Sequence, residues 1–387
     1  MLTSLAIKRF RALEDFKVDK LGRVNLIVGK NNSGKSTVLE ALQIYAGNAQ
    51  FGLLESIAAG HDEKFRLRDS DREDLDSPLP FEDLFTGRHF PPNDSQGIEI
   101  GDPSGGQMLS IQHGFYVEWR ESVSDEVSGE PAFRIRRKRI SAAELDDLVD
   151  ESFSHALFVQ KGERTTMLRF DLPNAYRSRI LSSDLPGGVP CSVVPTQFIS
   201  IDELADEWDN VALTDSQNIV KDALRLISPE FEDITFVRTE QSPTSSRKAF
   251  SRSAKVRLSN HDRPVSINSL GDGMLRVLQL VLKVFPARGG FLLVDEFENG
   301  LHYSVQEKVW GLIFELAVNL DIQVFATTHS WDCIESFARV ATDRKDVEGV
   351  LFRVGRSVRA SDQGKVIATV FDEDQLFNIT QADVEVR

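Results

Sequence analysis

An α/β fold with a mixed sheet is predicted by three observations. Residues 24–28 form an apolar run that enters a glycine-rich loop and then a helical pattern. Two further apolar runs, FLLV at 291–294 and VFA at 324–326, each end in a polar cluster, and from Ser269 onward helix and strand patterns alternate. Strands buried on both faces read as unbroken apolar runs, and their alternation with helices marks a parallel sheet covered by helices.

The elements follow in order. Leu2–Phe10 and Val24–Val28 read as strands, and Lys35 to about Tyr45 as a helix. From 47 to 194 the texture changes to a charged, proline-punctuated stretch and then short alternating runs (MLSIQHGFYVEW, HALFVQKG, TTMLRFDL), which predicts an antiparallel β-rich insertion. Residues 195–268 carry two helices, Asp202–Asp209 and Asp215–Ile227, followed by polar strands, a short helical subdomain with an arm. Residues 269–387 form the last lobe. The expected organisation is one composite domain over 1–387 with 47–194 inserted.

Composition bounds the function. With 387 residues, 41% hydrophobic and 27% charged, the chain is an ordinary globular one able to bury a sizeable core. MLTSLAIKRFRALEDF interrupts its apolar positions with charges, and no run is long enough to span a bilayer, so a cytoplasmic protein without membrane attachment is expected. Cys191 and Cys333 supply neither a disulfide framework nor a four-ligand zinc site. A net charge of −15 opposes adhesion of the whole surface to nucleic acid, while leaving room for a local basic groove.

The residues that carry chemistry lie far apart. Gly29, Asn31, Asn32, Ser33, Gly34, Lys35, Ser36 and Thr37 have the GxxxxGKS spacing between a strand and a helix. Backbone N–H groups of such a loop wrap phosphates, the lysine reaches the β and γ phosphates, and the hydroxyl of Ser36 serves Mg²⁺ at a helix start that favours anions. In FLLVDE, Asp295 is placed to hold Mg²⁺ and Glu296 to polarise an attacking water as general base. His329, at the end of VFATTH, can sense the third phosphate. Gln160 and Gln197 are both candidates for a Mg²⁺-sensing glutamine. Gln197 is preferred because it ends a strand just before the helical segment.

GKNNSGKST, SLGDG, FLLVDE, ENGLH and TTHS, in that order, resemble the Walker A, signature, Walker B, D-loop and switch-histidine motifs of ABC-type ATPases. Among these they look most like the branch holding SMC proteins, RecF and the OLD-like prokaryotic AAA ATPases. The resemblance implies a P-loop NTPase with an ABC-type head, ATP and Mg²⁺ as ligands, ATP hydrolysis by Glu296, and an ATP sandwich between two copies. Ser269, Gly271 and Gly273 would then cap the partner's ATP, and Arg11 would approach the nucleotide. SLGDG departs from the usual pattern by Asp272, a charge that has to point away from phosphate or meet Arg276. Residues 38–268 lack the heptads of SMC arms. Residues 331–387 are expected to leave no room for the TOPRIM nuclease of OLD enzymes, with the DxD of Asp372 and Asp374 expected to cap a helix.

This resemblance implies an ATPase head acting on a separate effector, a nuclease in antiphage defence. RecF-like DNA repair is the alternative, and a transporter ATPase fits less well. Two basic stretches bear on nucleic acid: Arg134, Arg136, Arg137, Lys138 and Arg139, and RKAFSRSAKVR at 247–257. Either can lie along a phosphate backbone or form a solvated strand face balanced by the acids at 144–151.

Overall fold

The computed structural model describes residues 1–63, 79–105, 107–124, 131–144, 153–170, 188–240, 250–359, 362, 364–371 and 376. In chain order the first lobe holds β1 (Leu5–Phe10), β2 (Leu13–Val18), β3 (Val24–Val28), α1 (Lys35–Ala46) and α2 (Phe51–Gly60). Next come β4 (Ile98–Asp102), β5 (Gln107–Ser124), β6 (Pro131–Ile140), β7 (Phe153–Lys161), β8 (Arg164–Arg169) and β9 (Cys191–Val194). The arm region holds α3 (Ile201–Val211), α4 (Ser216–Arg225), β10 (Phe231–Glu240), β11 (Phe250–Leu258) and β12 (Val265–Ser266). The last lobe holds α5 (Asp272–Val284), β13 (Phe291–Val294), α6 (Tyr303–Asn319), β14 (Gln323–Thr328), α7 (Trp331–Asp343), β15 (Gly349–Arg356) and β16 (Val366–Phe371).

A six-stranded sheet in the order β16-β15-β3-β14-β13-β9 forms the centre, parallel except for β16. Every residue of β3, β13 and β14 is buried, as strands covered on both faces are, and the polar Asn25, Gln323 and Thr327 among them are hydrogen-bonded. Side chains alternate between two cores. Leu26, Val28, Leu292, Val294 and Val324 pack under α5, α6, α7 and the arm. Ile27, Leu293, Phe325 and Phe352 pack on α1, α2 and the second sheet.

The antiparallel strands expected after residue 47 lie in a second sheet. β4, β5, β7 and β8 continue the hairpin of β1 and β2 in one antiparallel sheet, β2-β1-β4-β5-β7-β8, with β6 on β5. The segment after residue 47 therefore extends a sheet begun at the N-terminus. β9, just before residue 195, pairs with β13 in the central sheet, Val194 beside Val294. Four residues between Pro190 and Pro195 are too few to show a parallel-strand pattern. The first strand starts at Leu5 rather than Leu2, because Thr3 and Ser4 turn to donate hydrogen bonds to Asp102. The pair Asp372 and Asp374 lies outside the described residues. Among the described residues no helix is long and apolar enough to cross a membrane.

Candidate functional site

The site grows from the turn that joins β3 to α1. Gly29 is the residue the turn demands: a Cβ there would stand 2.3 Å from the Val354 carbonyl oxygen and 2.7 Å from Ser33 Oγ. Gly34 opens α1 at φ 104°, and Asn32 adopts φ 61°, a left-handed conformation that Asn tolerates. Lys35 folds over the loop, donating from Nζ to the carbonyls of Gly29 (2.8 Å) and Lys30 (3.0 Å). Burial holds the Lys35 ammonium below its ordinary pKa, and Asp295, Glu296 and Glu298 oppose that shift. Asn31 and Asn32 are exposed at the loop tip.

Asp295 sits one residue past β13, at the C-terminal edge of the parallel strands where ligands bind in such sheets. Three hydroxyls surround it. Thr327 Oγ1 of β14 donates to Oδ1 at 2.6 Å, Thr196 Oγ1 after β9 to Oδ2 at 3.1 Å, and Ser36 Oγ of α1 lies 3.2 Å from both oxygens. A hydroxyl beside a carboxylate is an oxygen donor pair of the kind Mg²⁺ takes together with substrate phosphates.

Glu296 follows with φ 47°, a strained conformation for a non-glycine residue. Two contacts hold it there. Its N–H donates to Thr327 Oγ1 (2.9 Å), and its carbonyl accepts from Arg276 (2.7 Å). The Glu296 carboxylate faces His329, with Nδ1 3.5 Å from Oε1. His329 Nδ1 is also 3.3 Å from Glu298 Oε1, which accepts from the backbone N–H groups of His329 (3.0 Å) and Ser330 (3.2 Å). Glu298 thus caps the entry to α7, a favourable place for a carboxylate. Its second oxygen is buried without a hydrogen-bond partner.

Arg276 decides between the two alternatives open to Asp272. It does not meet Asp272. Fully buried on α5, it donates to the carbonyls of Pro195, Asp295 and Glu296, each at 2.7 Å. Burial lowers its pKa to about 10, leaving the guanidinium charged at neutral pH. Asp272 instead packs at Gly300, where a Cβ would stand 3.3 Å from the Asp272 Cβ. Ser269 and Gly271 are exposed at the start of α5, Gly271 at φ 87°, and Ser269 Oγ donates to the Ser266 carbonyl. Among the described residues no hydrogen bond or ion pair joins 269–273 to 29–37.

Gln197 is exposed on the loop leaving β9, beside Thr196, and its carbonyl accepts from Gln279 at 3.4 Å. Gln160 lies on β7 in the antiparallel sheet, its amide turned to Gly162. Arg11, at φ 49°, is engaged elsewhere: its guanidinium clasps Glu63 (2.7 and 2.9 Å) and meets Glu40 at 3.1 Å. Thr196, Thr327, Arg276 and Glu298 were not assigned roles from sequence. Thr196 and Thr327 do stand next to assigned positions, in PTQ and TTH.

Two family models match this chain, "AAA ATPase domain" over residues 1–162 and "AAA domain, putative AbiEii toxin, Type IV TA system" over residues 195–332. A Helicobacter pylori protein named ATP/GTP phosphatase is 22% identical over 362 residues, 89% of either chain. A 45-residue stretch is 44% identical to an uncharacterized Methanocaldococcus jannaschii protein, covering 12% of this chain and 20% of that one. Among solved structures, the SMC head domain from Thermotoga maritima aligns with TM-score 0.41 at 15% identity, covering 96% of this chain and 99% of the other. An SMC head bound to the C-winged helix domain of ScpA aligns with TM-score 0.46 at 15% identity, covering 96% and 98%.

The glycine-rich loop, Asp295, Glu296 and His329 converge at one sheet edge, the arrangement of a P-loop ATPase. The chain is an ATPase: residues 1–162 and 195–332 are each similar to AAA-type domain models, and the 22% identical relative is named ATP/GTP phosphatase.

Proposed function

We propose that two copies of this chain close over ATP and that closure and hydrolysis control a separate effector protein, a nuclease in antiphage defence. The observation that carries the dimer is the division of the site. Loop, acids and His329 meet within one chain, whereas Ser269 and Gly271 stand exposed and Gly273 half-buried, with no hydrogen bond to the phosphate loop among the described residues. Exposed N–H groups at a helix start are suited to a phosphate delivered by another molecule. The defence role is supported by the OLD-like motif order and by the toxin–antitoxin description of the model matching residues 195–332.

In the closed dimer Lys35 leaves the Gly29 and Lys30 carbonyls to meet the β and γ phosphates. Ser36, Asp295 and Gln197 would hold Mg²⁺, which supplies charge neutralisation on the phosphates. Glu296 accepts a proton from the attacking water, and its left-handed backbone, pinned by Thr327 and Arg276, fixes where that carboxylate points. His329, shared between Glu296 and Glu298, reads the γ-phosphate. Location in the cytoplasm follows from this role.

Complementation between two inactive variants tests the arrangement. Lys35→Ala and Ser269→Arg should each abolish turnover alone, yet their mixture should recover part of it, because one site of the mixed dimer keeps an intact loop and an intact signature. No recovery in the mixture would refute the shared site. Copurification from the native host should bring down a nuclease-like protein; a recombination factor in its place would redirect the assignment to DNA repair.

A further inference from the structure

A cleft of about 1000 Å³ opens on the far side of the phosphate loop from the catalytic acids. β15 and β14 flank β3 on opposite sides, and the cleft runs along β15 and β16, whereas Asp295, Glu296 and His329 lie toward β14 and β13. The tip of the phosphate loop, Lys30 to Ser33, forms one wall. Among the described residues, Lys17, Lys30, Arg353, Arg356 and Arg359 line the cleft, against the acids Asp15 and Asp362. Asp362 is engaged by the Ser357 hydroxyl, and Asp15 by Lys17 at 3.4 Å. Lys30, Arg353 and Arg359 have no carboxylate partner among the described residues. On a chain of net charge −15, this is a concentrated positive recess.

The basic strand that attracted notice in the sequence is different. On β6, Arg136 pairs with Glu121 (2.6 Å), Arg137 with Glu118 (2.8 Å), and Arg139 is bound to Gln112 and stacked over Phe158. Much of its charge is spent within the sheet. Among the described residues the cleft keeps Lys30, Arg353 and Arg359 without carboxylate partners inside a recess, the form of groove that tracks a flexible phosphate backbone.

We propose that this cleft binds the phosphodiester backbone of a single nucleic-acid strand, and that the strand, touching Lys30 to Ser33, alters ATP turnover. The coupling rests on the ATPase reading; the binding does not. Single-strand binding by phosphate contacts weakens with salt by about 0.7 in log K per log salt for each phosphate neutralised.

The test measures fluorescence anisotropy of a labelled single-stranded oligonucleotide on the full chain across a salt series, together with basal and oligonucleotide-stimulated ATP hydrolysis. For the double variant Arg353→Glu, Arg359→Glu, the expected result is at least tenfold weaker binding, a shallower salt slope, unchanged basal turnover and lost stimulation. Arg136→Glu with Arg137→Glu should bind as the parent does. Parental affinity in the cleft variant, or no oligonucleotide binding by the parent, would overturn the proposal. A free nucleotide offers the same phosphate chemistry, so equilibrium dialysis with a slowly hydrolysed ATP analogue separates the sources. Two equivalents bound by the parent and one by the cleft variant would identify a second nucleotide site and reject the strand.

Discussion

Asp102 and Asp295 are both aspartates ringed by donors, yet the rings are built differently. Asp102 accepts from the backbone N–H groups of Thr3, Ser4, Ser104 and Gly105 as well as the hydroxyls of Thr3 and Ser4. These bonds hold its carboxyl well below the usual range and tie the N-terminus to the β4–β5 turn. Asp295 accepts from side-chain hydroxyls alone, those of Ser36, Thr196 and Thr327. Backbone donors cannot turn away; hydroxyls can rotate and serve another ligand. The first ring is fixed structure, and the second is a site able to exchange its partners.

Exchanging the two carboxylates for amides should separate these roles most sharply. Asp295→Asn is expected to lower ATP turnover by at least about 100-fold, since it strips charge from the metal-facing group, with little change in melting temperature. Asp102→Asn is expected to lose about 2 kcal/mol of stability through weakened charge-assisted bonds, with turnover per folded molecule intact. Because the Asp102 pKa is depressed, its contribution is present above the ordinary carboxylate value and fades as pH falls below it. Equal effects of both variants on turnover would erase the distinction.

Arg276 joins the two kinds of role, because it holds Asp295 and Glu296 through fixed backbone carbonyls. Arg276→Met should cost about 3 kcal/mol in denaturant unfolding by orphaning three buried acceptors, and should lower turnover as Glu296 loses its anchor. Arg276→Lys should restore part of both. Full activity in the methionine variant would show that Glu296 needs no such anchor.

A smaller effect belongs to the antiparallel sheet. His113 stacks on Phe90 with ring centroids 3.9 Å apart and meets His155 at 3.0 Å. Burial and the neighbouring histidine lower its pKa from 6.5 to about 4. The unfolded chain therefore binds the extra proton first, so stability is full above about pH 6.5 and declines towards pH 4, by up to about 3 kcal/mol. Thermal unfolding across that range should show the slope, and His113→Gln should flatten it while leaving turnover at neutral pH unchanged.

What the sequence disclosed followed the range of the interactions. The phosphate loop, the apolar strands and the acid pair are local patterns, and β3, α1 and β13 lie where those patterns put them. Thr196 reaches Asp295 across 99 residues, and Arg276 reaches Pro195 across 81, so neither contact leaves a local trace. Asp272 and Arg276 stand one helical turn apart, a spacing that left open whether they pair or Asp272 points away. The helix turns Arg276 into the core, where three carbonyls outbid one exposed carboxylate. The continuity of β1 and β2 with β4 to β8 was hidden for the same reason, because β1 meets β4 across about ninety residues of chain.

The central claim is that Glu296 is the general base of a nucleotide-gated dimer. ATP binding, single-turnover hydrolysis and molecular mass in solution, measured together on Glu296→Gln, test it most directly. The variant should bind ATP as tightly as the parent, fail to hydrolyse it and accumulate as a dimer with ATP present. Hydrolysis at the parental rate would contradict the assignment of Glu296, and a variant that binds ATP but stays monomeric would contradict the dimer.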